Sequence, residues 1–249
     1  MSDDRESTRR FGSRAQAYAA FRPAYPSEAV DAVLAGLGDP RALQIADVGA
    51  GTGISSRLFA ERGALVVAVE PNAAMRQAAH PHPRVAWRDA TADATGLAAN
   101  SVDLAVACQA FHWFATARAM EELARIARRR VAVLQYERDE RHAFTKAYGE
   151  VVRAYARDDT EALRMEALGA FDRFPNARVA RSAHPSRHQL DLAGVLGRAA
   201  SSSYLPNEGP QADALRRDLG EVFNRHQRDG TVDIAMLTFA LVADLFDDP

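Results

Sequence analysis

The sequence predicts an α/β fold, a doubly wound and mostly parallel sheet of seven strands with a helical lid in the second half. Three observations predict it. Short apolar runs and stretches of helical spacing alternate over residues 42–136. The first apolar run ends in a glycine-rich turn, Asp47-Val48-Gly49-Ala50-Gly51-Thr52-Gly53. The connections are short, so each helix must cross back over the sheet and successive strands run parallel.

The elements follow in order. Residues 15–21 combine helix formers with aromatics and stop at Pro23 and Pro26. Ser27 reads as the N-cap of a helix to about Leu37, ended by Gly38-Asp39-Pro40. Residues 43–48 are a buried strand, 54–62 a helix, 65–70 a strand, 73–79 a helix and 84–88 a strand. A fourth strand spans 102–108, a long helix 116–129 and a fifth strand 130–136. Beyond Tyr136 the rhythm changes. Residues 144–168 read as helix, 179–190 as strand, 195–200 and 212–228 as helices. Residues 231–241 read as a last strand or a buried helix. No linker separates two domains, so one domain is expected over 1–249. Its parts are N-terminal cap helices over 1–40, a ligand-binding core over 41–137, and the remaining strands with a substrate lid over 138–249.

Composition narrows the function. The 249 residues are 47% hydrophobic and 26% charged, ordinary for a globular protein. The net charge of −2 gives no field that draws nucleic acid or an anionic membrane. The longest apolar stretches are too short to span a bilayer, and residues 1–10 lack the apolar core of a secretory leader. A cytoplasmic location is expected. The single cysteine, Cys108, excludes an internal disulfide and an all-cysteine metal site. His80 and His82, flanking Pro81, read as a turn, so no metal is expected. His184 and His188 read as exposed. Arg125 and Arg128–Arg130 read as a solvated helix end.

The glycine turn carries the chemistry. Its glycines let the backbone bend sharply toward a ligand, and the following helix points free N–H groups at it. Glu70 closes the second strand about 20 residues on, where an acid accepts from ribose hydroxyls. A nicotinamide or flavin dinucleotide needs a third glycine where Ile54 stands. The carboxylate of Asp47 repels a pyrophosphate but attracts a sulfonium or ammonium group. No Gly-Lys-Ser/Thr follows, so this is not a P-loop.

Four ordered segments complete the pattern: Asp47–Gly53, Val69-Glu70-Pro71-Asn72 with Met75, Thr91-Ala92-Asp93-Ala94-Thr95-Gly96-Leu97, and Gln109-Ala110-Phe111-His112-Trp113-Phe114. Together they resemble the class I S-adenosylmethionine-dependent methyltransferases. The resemblance is nearest to the small-molecule branch (methyltransferase type 11) that includes trans-aconitate methyltransferase-like enzymes. Tyr18, Arg22-Pro23-Ala24-Tyr25-Pro26 and Ser201-Ser202-Ser203-Tyr204 resemble that branch as well. Two places depart from it: Ala115 stands where an Asp is common, and Arg128-Arg129-Arg130 stands in place of Pro-Gly-Gly.

The resemblance implies roles. Gly49, Ala50, Gly51 and Gly53 hold the methionine part of S-adenosylmethionine, with Asp47 positioning its ammonium group. Glu70 binds the ribose, with Pro71, Asn72 and Met75 beside the adenine. Thr91, Ala92 and Asp93 edge that ring. Cys108 and Gln109 flank the methyl group, Arg22 pairs with the cofactor carboxylate, and Tyr18 closes the entrance with Tyr25. Tyr25, Phe111, Trp113, Tyr136, Ser203 and Tyr204 are the candidate acceptor contacts. His112 is a base, a group that orients the acceptor, or a ring packed beside Trp113.

The reading is therefore methyl transfer to N or O of a small molecule such as a heteroaromatic metabolite, or to a carboxylate as in the trans-aconitate type. An NAD(P)/FAD oxidoreductase, an RNA methyltransferase and a non-catalytic cofactor-binding module are the competitors. Neither nucleic acid nor membrane is expected as a partner, and a monomer or homodimer is expected.

Overall fold

The computed structural model describes residues 21–22, 25–174 and 176–246. The expected segment over 15–21 lies outside them except for Phe21, and Tyr18 lies outside altogether. Seven strands form one sheet in the order β3-β2-β1-β4-β5-β7-β6. These are β1 (Gln44–Val48), β2 (Leu65–Val69), β3 (Val85–Arg88), β4 (Val102–Cys108), β5 (Ala127–Arg138), β6 (Ala177–Leu190) and β7 (Val232–Leu245). The first five pair in parallel. β7 lies antiparallel between β5 and β6. Residues 231–241, open between strand and helix on sequence, are therefore strand.

Among the described residues, the α-helices are α1 (Ser27–Leu34), α2 (Ile54–Glu61), α3 (Ala73–Gln77), α4 (Ala117–Ile126), α5 (Ala143–Tyr155), α6 (Thr160–Phe171), α7 (Leu192–Ala200) and α8 (Pro210–His226). Strand pleating sends alternate side chains to opposite faces and so builds two cores. On one face Ala132, Leu134 and Tyr136 of β5 join Val30 and Val33 of α1, Tyr148 of α5 and Leu219 of α8. On the other, Val131 and Val133 join Leu123 and Ile126 of α4 and Leu168 and Phe171 of α6. The helices of the second half thus pack on both sides of the sheet.

Several boundaries differ from expectation for local reasons. Ser27 is the first residue of α1, not its cap, and α1 ends at Leu34 because Ala35 is already extended. The 144–168 stretch is two helices. Ala156 is extended, and Asp159 accepts a hydrogen bond from the Ala162 amide to start α6 afresh. The helix expected over 116–129 ends at Ile126, and the arginines after it belong to β5. Arg130 is not solvated. It is buried, donates to the Val33 and Ala35 carbonyls at 2.7 Å each, and pairs with Asp244 at 2.7 Å. Arg129 reaches the Leu37 carbonyl at 2.8 Å. This pair holds the carbonyl end of α1 against the sheet, where cations favour the helix dipole. His184 and His188 are half-buried rather than exposed, because β6 turns alternate residues toward the protein. β6 is an edge strand, where Pro185 costs no ladder hydrogen bond.

Candidate active site

The carboxyl ends of β1, β2, β4 and β5 open on one cleft, where strand order reverses beside β1. Ligands bind doubly wound sheets at such switch points. Gly49, Ala50 and Gly51 form one wall, Glu70, Pro71, Asn72, Met75 and Ala92 a second, and Cys108 and Gln109 a third. Arg22, Tyr25, Trp113 and Tyr136 close it. Sequence reasoning missed Thr52, Ile54, Ser55, Ala110 and Phe114, which also face the cleft. Each lies within or no more than two residues beyond a quoted motif, so the motifs marked the right segments without marking every face.

The glycine turn is fixed by backbone and by one carboxylate. The Gly49 and Ala50 amides donate to the Val69 carbonyl at 2.8 and 3.1 Å. Glu70 accepts from the Gly51 amide through Oε2 and from the Asn72 amide through Oε1, both at 2.9 Å. Its carboxyl therefore joins the turn after β1 to the turn after β2. Burial raises the Glu70 pKa, opposed by those amides and by Arg76. Asn72 caps α3, accepting from Ala74 and Met75. Gly49 has φ +73°, and a Cβ there would meet the Ala110 Cβ at 2.6 Å. Gln109, at φ 57°, holds a left-handed conformation rare for a side-chain-bearing residue. Its amide donates to the Leu134 carbonyl and its Nε2 to the Tyr136 carbonyl, at 2.8 and 2.9 Å.

Other expected residues stand off the cleft wall. Asp47 is wholly buried behind the turn, where Oδ2 accepts from Ser55 and Ser56 at 2.7 and 2.6 Å. Burial raises its pKa against those two bonds. Its Oδ1 has no hydrogen-bond partner among the described residues. Gly53 makes room for Trp87, whose Cζ2 would lie 2.9 Å from an added Cβ. The Thr91 hydroxyl donates to Asp93 at 2.6 Å, leaving only Ala92 of that trio on the wall. Phe111 points into the core, edge-on to Phe171 at 5.6 Å. Ser203 and Tyr204 are buried beside the cleft rather than on it.

His112 also turns away. The Phe111–Trp113 segment is a single 3₁₀ turn, so consecutive side chains leave in different directions. Trp113 faces the cleft, and the His112 ring packs against it at 4.9 Å. Burial, with Arg164 and Arg22 adding positive charge, lowers the His112 pKa to about 3. The ring is neutral near pH 7. Burial first, and then Asp47, raises the Cys108 thiol well above 9. Among the described residues, no group of three His, Cys, Asp or Glu side chains is placed to hold a metal, and no helix is long and apolar enough to cross a membrane.

The sheet order, with the cleft at its switch point, is the Rossmann-like fold of solved methyltransferase structures. Residues 46–134 match the methyltransferase domain family. An uncharacterized methyltransferase of Mycobacterium tuberculosis (strain H37Rv) is 38% identical over 145 residues, covering 57% of this chain and 58% of its own. The chain therefore spans less than two thirds of the length of the curated relatives it matches first. Two solved structures share the fold. One is a candidate type II methyltransferase from Anaeromyxobacter dehalogenans, with TM-score 0.61, 21% identity and coverage of 90% of this chain and 97% of that one. The other is a candidate methyltransferase from an antibiotic biosynthesis pathway of Anabaena variabilis, with TM-score 0.60, 24% identity and coverage of 85% and 95%.

Proposed function

We propose that this protein transfers a methyl group from S-adenosylmethionine to a nitrogen or oxygen of a small, flat molecule. The observation that carries the reading is Glu70, which faces the cleft while tying it to the Gly51 amide. A carboxylate on that wall suits two ribose hydroxyls and repels a pyrophosphate. No lysine or arginine lies in the turn over 47–53 to offset it. The buried acid Asp47 adds to the preference for a cationic nucleoside without phosphates.

In this reading the amides of the Gly49–Gly51 turn hold the amino-acid end of the cofactor. Met75 and Ala92 sandwich the adenine, and Gln109 sits beside the transferable methyl. The bound cofactor supplies a methyl already activated on a sulfonium. The chain has to orient the acceptor lone pair in line with it and exclude water. Orientation of this kind contributes about 7–11 kcal/mol in well-arranged systems. Tyr25 and Tyr136, with ring centroids 5.8 Å apart, and Trp113 offer flat apolar surfaces to the acceptor. His112, neutral but off the wall, supports the packed reading over the catalytic one. A nitrogen or carboxylate acceptor with a free lone pair needs no base. The net charge of −2 supports a small-molecule acceptor over nucleic acid or a membrane surface; the reading takes the enzyme as a cytoplasmic monomer or homodimer.

Calorimetry with S-adenosylhomocysteine tests this. Binding is expected in the wild type and at least tenfold weaker in Glu70→Ala, with no heat from NAD. Silence toward S-adenosylhomocysteine at millimolar concentration, or tight binding of NAD, overturns it.

A further inference from the structure

We infer that the acceptor carries an anionic oxygen group, a carboxylate or a phosphate, and that Arg198 anchors it in a side cavity beyond Arg22 and Tyr136. This deepens the small-molecule reading above and rests on it.

Arg22 and Tyr136 line both the cofactor cleft and a narrower cavity next to it. The narrower cavity is also walled by Arg138, Arg164 and Arg198, with Tyr204. Its free volume is only about 20 Å3. That is space for one or two oxygen atoms rather than a metabolite, the size of an anchor for a single charged group.

Among the described residues, the charge of this cavity is not balanced by its own lining. Four arginines meet one carboxylate in its lining, Glu137. Arg164 pairs with Glu137 at 3.0 Å, and Arg138 pairs with Glu140 at 3.3 Å and with Glu161. Arg22 donates to the Tyr136 hydroxyl at 3.1 Å and to the Ser201 carbonyl at 3.5 Å. Arg198 differs. It is 93% buried, yet among the described residues it pairs with no carboxylate. Its contacts are the Met236 thioether at 3.4 Å and the face of Tyr136 at 5.9 Å. A thioether is a weak acceptor, and a guanidinium stays charged in any protein environment. Burying such a charge without a partner disfavours the fold, so the structural role that explains Arg138 and Arg164 does not explain Arg198.

Tyr204 reports the same field. Burial alone would raise its phenol, but Arg164, Arg22 and Arg138, with a hydrogen bond to Ser202, together outweigh burial and pull it below the ordinary value. An acceptor lying across Tyr136 would place its reactive atom in the cleft and its oxygen group against Arg198. The guanidinium fork suits the paired oxygens of a carboxylate or phosphate.

The test uses protein loaded with S-adenosylhomocysteine and three probes: 3-phenylpropionate, phenylphosphonate and the neutral 3-phenylpropionamide. Calorimetry should show at least one anion binding tenfold or more tightly than the amide. Arg198→Met should cut that anion's affinity tenfold or more, while S-adenosylhomocysteine affinity and Tm hold. The anion that loses more tells carboxylate from phosphate. If Arg198→Met does not fold, Arg198→Lys decides, with a loss of at least threefold expected because an ammonium lacks the fork. An amide that binds as well as both anions, an unchanged variant, or no anion binding at millimolar concentration overturns the inference. The same titration without S-adenosylhomocysteine separates the two readings. Anion binding that persists when the cofactor product does not bind sinks the methyltransferase reading and leaves the anion site standing.

Discussion

His112 sits against Trp113 with Arg164 and Arg22 nearby, and its pKa of about 3 has consequences in solution. An unfolded chain protonates the same ring near 6.5. Between those values the unfolded state binds the extra proton, so the fold loses stability as pH falls from 6.5 toward 3. Above 6.5 neither state is protonated and the effect vanishes. His112→Asn removes it. Urea midpoints at pH 7.5 and pH 4.5 should fall further apart in the wild type than in the variant. Equal losses would show that the ring is solvated. Gly49 offers a second test. Its φ of +73° and the 2.6 Å approach to Ala110 leave no place for a methyl group. Gly49→Ala should destabilise the protein by about 1–3 kcal/mol, read as a lowered Tm. It should weaken S-adenosylhomocysteine binding as well. The glycine turn and Glu70 were legible in the sequence because each sits at the end of a short apolar strand, at the spacing that one strand–helix–strand unit imposes. The direction of His112 was not, since it depends on one 3₁₀ turn packing against a helix, α6, that lies more than forty residues on.

Among the elements, α1 depends most on distant residues. No side chain caps its start, and its carbonyl end is held by Arg129 and Arg130 from the sheet. Arg130→Ala breaks two short bonds to carbonyls and leaves Asp244 with only Arg178, at 4.0 Å. Charge-assisted hydrogen bonds of this sort contribute about 1.5–3 kcal/mol, so a loss of that order in urea unfolding is expected. A change within a few tenths would mean the clamp is idle. From the sequence these arginines read as the wet end of a helix, because a run of like charge usually is. Their partners lie some 95 residues away, and no local pattern announces them. The division of 144–168 into α5 and α6 had a local signal after all, the Asp158-Asp159-Thr160 cap, which the apolar spacing on either side obscured.

Across the whole molecule, alternating periodicity was enough to lay down the five parallel strands, since each connection is short and handedness leaves few topologies. The last two strands were harder. β7 enters antiparallel between β5 and β6, a pairing between distant segments that no local spacing encodes. The cleft walls followed from motif order, but the arginine cavity did not. Arg198 is a lone cation in an otherwise apolar stretch over 192–200, and only tertiary packing joins it to Arg22, Arg138 and Arg164.

Cys108 closes β4 inside the sheet, and its thiol is the only one in the chain. Thiolate is the species that reacts with alkylating reagents, and here it is both scarce and shielded. The protein thus carries a single reporter on the wall of its cleft. A reagent reaches that sulfur either down the cleft or after the sheet opens, and no second sulfhydryl blurs the count. Iodoacetamide uptake followed by intact mass should be far slower than for a free thiol, should accelerate in denaturant, and should slow further with S-adenosylhomocysteine bound. Prompt labelling that S-adenosylhomocysteine does not slow would mean that the strand beneath the cleft breathes.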